Sequence, residues 1–204
     1  MKKLISLILI VFLAVSVVGC SQSQKASEEN KTSNGAADPY KIYLIPQTMS
    51  NPFYITMAEG CEEAVAAFKE KGIDIELVVQ APQEETDAEA QLQILENAIS
   101  AGADAILIVA ISPEGIIPGV IKANEAGVKV INVDCAVNFE QLKEKGGEII
   151  TYIGSDNVHG AYLAGKAMGE YFKDVNEKVE VGLIEGVPGH ANAEARKAGF
   201  LSGI

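Results

Sequence analysis

The chain has 204 residues, 48% of them apolar, with 16 Lys and Arg against 28 Asp and Glu. That much apolar surface can offset chain entropy and excludes disorder over most of the length, which suits one to two domains. A net charge of −12 excludes nucleic acid as a partner and repels anionic lipid headgroups, so any membrane association must come through a covalent or inserted anchor.

Such an anchor is legible at the start. Lys2 and Lys3 precede an uncharged run from Leu4 to Val18, and Gly19 and Cys20 follow. The run is short for a membrane span, and the layout is that of a signal peptide over residues 1–20. Val17, Val18, Gly19 and Cys20 resemble the lipobox of bacterial lipoproteins, which implies that Cys20 carries a diacylglyceryl group and becomes the new N-terminus. Residues 21–38 are almost all polar or small and read as a flexible tether.

The folded body begins near Pro39. Tyr40 to Ile45 reads as a buried strand, and Pro46 to Asn51 as a polar loop. Pro52 opens a helix with Met57, Cys61, Val65 and Phe68 on one buried face, ended by Gly72. Cys61 is expected as a buried, unpaired thiol. The unit then repeats: strand 73–79, helix 86–101, strand 104–109, helix 113–126 and strand 128–133. Each helix ends in glycine and runs straight into a strand. Nearly continuous apolar strands are those of a parallel sheet covered on both faces, so the fold class is α/β with a doubly wound parallel sheet.

A longer connection from Cys135 to Gly147 leads to strand 148–154, a helix capped by Ser155 and running to Phe172, a strand from Val179 to Ile184, and a helix starting near Ala191. Residues 39–153 therefore read as one complete lobe, and 154–204 as the beginning of a second. One strand and two helices cannot complete a second sheet, so the chain is expected to be a fragment of a longer two-lobe protein.

Ligands of open parallel sheets bind beyond the carboxyl ends of the strands. After the first strand stand Gln47, Asn51, Phe53 and Tyr54. Amide groups suit the hydroxyls of a sugar and an aromatic ring suits its C–H face, although Asn51 is equally suited to cap the helix. Asp134 ends the fourth strand, where a carboxylate accepts two hydrogen bonds from a diol or stands solvated in a loop. His190, Asn192 and Arg196 fall on the first turns of the last helix, the latter two one turn apart. Only two histidines are present, without HExxH or paired cysteines, and no GxSxG, Walker A or GxGxxG follows a strand. The expectation is no metal, no cofactor and no enzymatic activity.

Four blocks together resemble a known family: Asn51-Pro52-Phe53-Tyr54; the strand ending in Asp134; Ile153-Gly154-Ser155-Asp156-Asn157 with Gly160; and Gly186-Val187-Pro188-Gly189-His190-Ala191-Asn192 through Arg196. They are similar to the type I periplasmic sugar-binding proteins, the ribose and galactose receptors of ABC importers. The resemblance implies a monomeric, extracytoplasmic receptor whose ligand is a monosaccharide or similar polar molecule and whose partner is a membrane permease. A sensor of the same fold presenting to a membrane receptor or histidine kinase is the alternative. It implies Asn51 and Phe53 as ligand contacts with Gln47 and Tyr54 as further ones, and Asp134, His190, Asn192 and Arg196 as polar ligands. Asn192 stands where the galactose type has aspartate, and Cys135 where the ribose type has arginine, so no single sugar is named. In a chain with only part of the second lobe, affinity should fall from micromolar, about −8 kcal/mol, to roughly millimolar, about −4 kcal/mol, or be lost.

Overall fold

The computed structural model describes residues 38–204. The expected signal segment, Cys20 and nearly all of the tether lie outside the described residues. Five parallel strands, β1 (Tyr40–Ile45), β2 (Ile75–Val79), β3 (Ala105–Ile108), β4 (Lys129–Val133) and β5 (Thr151–Ile153), stand in the order β2-β1-β3-β4-β5. The order reverses direction between β1 and β3. That is the switch point where connecting loops diverge and leave a crevice at the carboxyl edge.

Helices α1 (Pro52–Glu70), α2 (Ala88–Ser100) and α3 (Ile117–Glu125) connect the first four strands. Asn51 caps α1, its Oδ1 accepting from the Phe53 amide at 3.0 Å, and Pro52 takes the first helical position, where a missing N–H costs nothing. At the far end Gly72 has φ 79°, and the Gly72 and Ile73 amides return to Lys69 and Phe68 carbonyls. That left-handed residue turns the chain directly toward β2. The last turns take up part of the expected strands, so β2 begins at Ile75 and not at residue 73. Helix α2 starts at Ala88, two residues later than expected, because Asp87 accepts from the Ala90 amide and caps it. The connection after β4 contains an unforeseen helix, α4 (Phe139–Glu144), whose six residues are too few to show helical periodicity.

The main core lies between the sheet and α2, α3 and α4. Tyr43, Ile45, Ile106, Ile108 and Val130 meet Leu95, Ala98, Ile117, Val120, Ala123 and Leu142. A smaller cluster joins Tyr54 of α1 to Val109 and Cys135, with Met57 and Val133 alongside. The expectation of strands fully covered on both faces is corrected: Leu107, Ile131 and Val133, which alternate with the core positions, are only half-buried. Successive right-handed crossovers in one direction put α2 and α3 on the same face, where they pack together. Cys61 is likewise half-buried and Phe68 exposed, because only the first turns of α1, at Tyr54 and Ala58, press against the sheet. Cys61 and Cys135 are both free thiols.

Beyond β5, helices α5 (Asn157–Phe172) and α6 (Ala191–Gly203) pack against each other as a pair. Asp156, not Ser155, caps α5 by accepting from the His159 amide at 2.9 Å. A Cβ added at Gly165, Gly199 or Gly203 would overlap the backbone of the facing helix, so the two backbones touch directly. The strand expected from Val179 to Ile184 does not form. Its residues carry no ladder partner and Ile184 is 98% exposed, since a strand is stable only when its N–H and C=O groups are paired.

Candidate functional site

The carboxyl edge of the sheet is built on three buried amides. Gln91 of α2 donates to the Val109 carbonyl at 2.8 Å and accepts from the Ile111 amide at 2.9 Å, fixing the chain where β3 ends. Gln47, fully buried after β1, donates to the Ala110 carbonyl at 2.8 Å and so ties the two loops of the switch point together. Asn132 of β4 donates to the Ile108 and Cys135 carbonyls and accepts from the Val137 amide. That closes a tight turn at the tip of β4, with Asp134 in the left-handed region at φ 57°. Asparagine and aspartate tolerate that conformation better than most residues. The Tyr152 hydroxyl donates to the Asp134 carbonyl at 2.6 Å and holds the turn from β5.

On this platform five of the expected site residues converge. The Gln47 Oε1 accepts from the Tyr54 hydroxyl at 2.7 Å and lies 3.0 Å from His190 Nε2. Asn192 donates to Asp134 Oδ1 at 3.0 Å and approaches the Cys135 sulfur at 3.3 Å. The Cys135 thiol points at Asp134 Oδ2, 3.3 Å away, with His190 Nε2 at 3.9 Å. The start of α6 is thereby seated on the tips of β1 and β4. Burial first, then the Asp134 charge, pushes the Cys135 thiol well above its usual range, and burial does the same to the Tyr54 phenol, so both act here as neutral groups.

The other expected residues stand apart from that network. Arg196 donates to Asn157 Oδ1 at 2.8 Å and, with His190, lines a cleft of about 750 Å³ against α5 and the 183–187 segment. Asn51 spends its oxygen capping α1 and its amide on Glu85 Oε1 at 3.0 Å, which realises the capping reading of that residue. Phe53, 55% exposed, packs its ring edge-on against Tyr54 at 5.2 Å and, like Asp134 and Asn192, lines neither that cleft nor an adjoining cavity of about 300 Å³. Gln47 and Tyr54 are bonded into the floor.

Sequence patterns do not single out three residues of this edge: Gln91, Asn132 and Glu85. A polar residue inside an apolar strand, Val-Ile-Asn132-Val, is the signal that points to the second. Among the described residues no group of three or more His, Cys, Asp or Glu could hold a metal ion, and no helix is long and apolar enough to cross a membrane.

Residues 42–204 match the family model described as a periplasmic binding protein domain. The D-ribose/D-allose-binding protein of Pseudomonas aeruginosa is 36% identical over 160 residues, covering 78% of this chain and 48% of that protein. The ribose import binding protein of Bacillus subtilis is 30% identical over 202 residues, covering 98% of this chain and 59% of that protein. A crystal structure of an ABC transporter periplasmic solute-binding protein from Actinobacillus succinogenes with bound D-allose superposes with a TM-score of 0.69 at 34% identity. The match covers 81% of this chain and 54% of that one. The chain thus spans about half the length of the relatives it matches.

Proposed function

The chain belongs to the periplasmic binding protein domain family, and from that premise we propose that it captures a neutral monosaccharide of the ribose or allose kind for an ABC importer, without making or breaking a bond. The observation that carries this reading is the meeting of Asp134, His190 and Asn192 at the carboxyl edge, where a carboxylate, an imidazole and an amide supply acceptors and donors for a diol. Relatives that bind ribose and allose support the sugar class. On this reading residues 39–153 are one lobe and 154–204 begin the second. Arg196 and Phe53 reach the ligand when the lobes settle around it, and the receptor works as a monomer.

Lys2, Lys3, the apolar run and Cys20 support an extracytoplasmic place at the outer face of the membrane, held by a lipid on Cys20. Metabolic labelling with a fatty acid should mark the wild-type chain and not Cys20→Ala.

Thermal unfolding with added sugar tests the function. With a dissociation constant near 1 mM, D-allose or D-ribose at about 50 mM should add about 2.3 kcal/mol of stability and raise Tm visibly. An unchanged Tm with ribose, allose, galactose, glucose and xylose alike would refute the proposal.

A further inference from the structure

Glu85 belongs to the loop between β2 and α2, and it lines both the 750 Å³ cleft and an adjoining cavity of about 300 Å³. The loop is pinned rather than free: the buried Thr48 hydroxyl donates to the Gln83 carbonyl at 2.9 Å, and Asn51 donates to Glu85 Oε1 at 3.0 Å. Asn51 is itself fixed by its bond from the Phe53 amide, so its NH2 group points one way and orients the carboxylate. Among the described residues, Glu85 Oε2 then has no hydrogen bond and Glu85 makes no ion pair.

The charged side chains across the larger cleft make contacts of their own. Arg196 is bonded to Asn157, Lys197 pairs with Glu185 at 2.8 Å, and Asp156 caps α5. Among the described residues Glu85 is the acidic side chain that lines both cavities, and its carboxylate is not ion-paired. A carboxylate in a cleft accepts strongly from hydroxyl or ammonium donors and repels other anions.

We propose that Glu85 is a ligand-contacting and specificity-determining residue of this cleft, positioned by Asn51, and that it selects neutral or aminated sugars against uronic acids and sugar phosphates. The inference rests on the monosaccharide reading above and deepens it. It changes the role of Asn51 from direct contact to positioning residue.

The test is a titration of the 15N-labelled full chain with D-allose, D-glucose and D-glucuronate, followed by amide shifts. With D-allose up to about 200 mM, shifts are expected at 84–86 together with 134–135, and Glu85→Gln should weaken binding about tenfold. D-glucuronate should bind more weakly than D-glucose in the wild type, and that gap should shrink in Glu85→Gln. Asn51→Asp keeps the helix cap but faces Glu85 with a second negative charge. It should weaken D-allose in the wild type and add nothing in the Glu85→Gln background, whereas a merely structural Asn51 would cost the same in both. Shifts at 134–135 with Glu85 silent and Glu85→Gln titrating like the wild type would overturn the role of Glu85 alone. No shifts with any sugar would overturn the monosaccharide reading and this inference with it.

Discussion

Gln47 and Asp134 leave the same edge of the sheet, yet one is consumed by the scaffold and the other keeps its charge at the surface of it. Gln47 satisfies the Ala110 carbonyl, the Tyr54 hydroxyl and His190 at once, so its contribution is to hold three elements together. Asp134 carries a formal charge beside neutral donors, and hydrogen bonds to a charged acceptor are about twice as strong as neutral ones. Asp134→Asn retains a residue that tolerates φ 57° and an oxygen for Asn192, so Tm should stay within about 2 °C while sugar affinity falls about tenfold, read by calorimetry. Cys135 makes a separate prediction about pH. Its native pKa lies above the unfolded value of about 8.5, so both states hold the proton at neutral pH and the thiol contributes no pH dependence there. As pH rises past that value the unfolded chain loses the proton first, and stability falls by up to about 1.4 kcal/mol per pH unit. Between pH 7.5 and 10 the loss in urea unfolding should be about 2 kcal/mol smaller for Cys135→Ala than for the wild type.

Among the elements, α1 and the α5–α6 pair use glycine in opposite ways. Gly60 in α1 has open space where a Cβ would go, so it weakens the helix without a packing reason. Gly60→Ala should stabilise the chain by about 0.5–1 kcal/mol. Gly199 faces the Val158 carbonyl so closely that a methyl group would force the helices apart, and Gly199→Ala should cost about 2 kcal/mol or more. Opposite shifts in the urea midpoint would check the pair. The alternation of apolar strands with glycine-ended helices makes the sheet and the first three crossovers legible in the amino-acid sequence, because those signals are local. What failed depends on partners. Val179, Val181 and Leu183 alternate as a strand should, but alternation specifies a face and not the neighbouring strand that must accept its hydrogen bonds. Cys61 sits in helical register with Met57, yet register does not say how far along α1 the sheet extends. At the site, Asp134, His190 and Asn192 are legible from their positions at a strand end and a helix start. Glu85 is not, because a loop glutamate reads as solvated until the Asn51 contact is seen.

For the molecule as a whole, the start of α6 lies on the tip of β4 with Cys135 sealed beneath it at 1% exposure. Receptors of two lobes exchange between open and closed arrangements, and a ligand that touches both walls favours the closed one only by its differential affinity. If α5 and α6 move as a body because their backbones interlock at Gly165, Gly199 and Gly203, opening must break the Asn192–Asp134 and His190–Gln47 bonds together and expose the Cys135 thiol. Alkylation of that thiol then reads the open population. In a chain carrying Cys20→Ser and Cys61→Ser, Cys135 is the one thiol left, and its labelling at pH 8.5 should be slow without sugar. With D-allose at ten times its dissociation constant the open fraction falls about elevenfold, and the labelling rate should fall with it. A rate indifferent to sugar would mean that α6 stays seated on β4 whether or not a ligand is bound, and that the sugar enters a cleft already shaped.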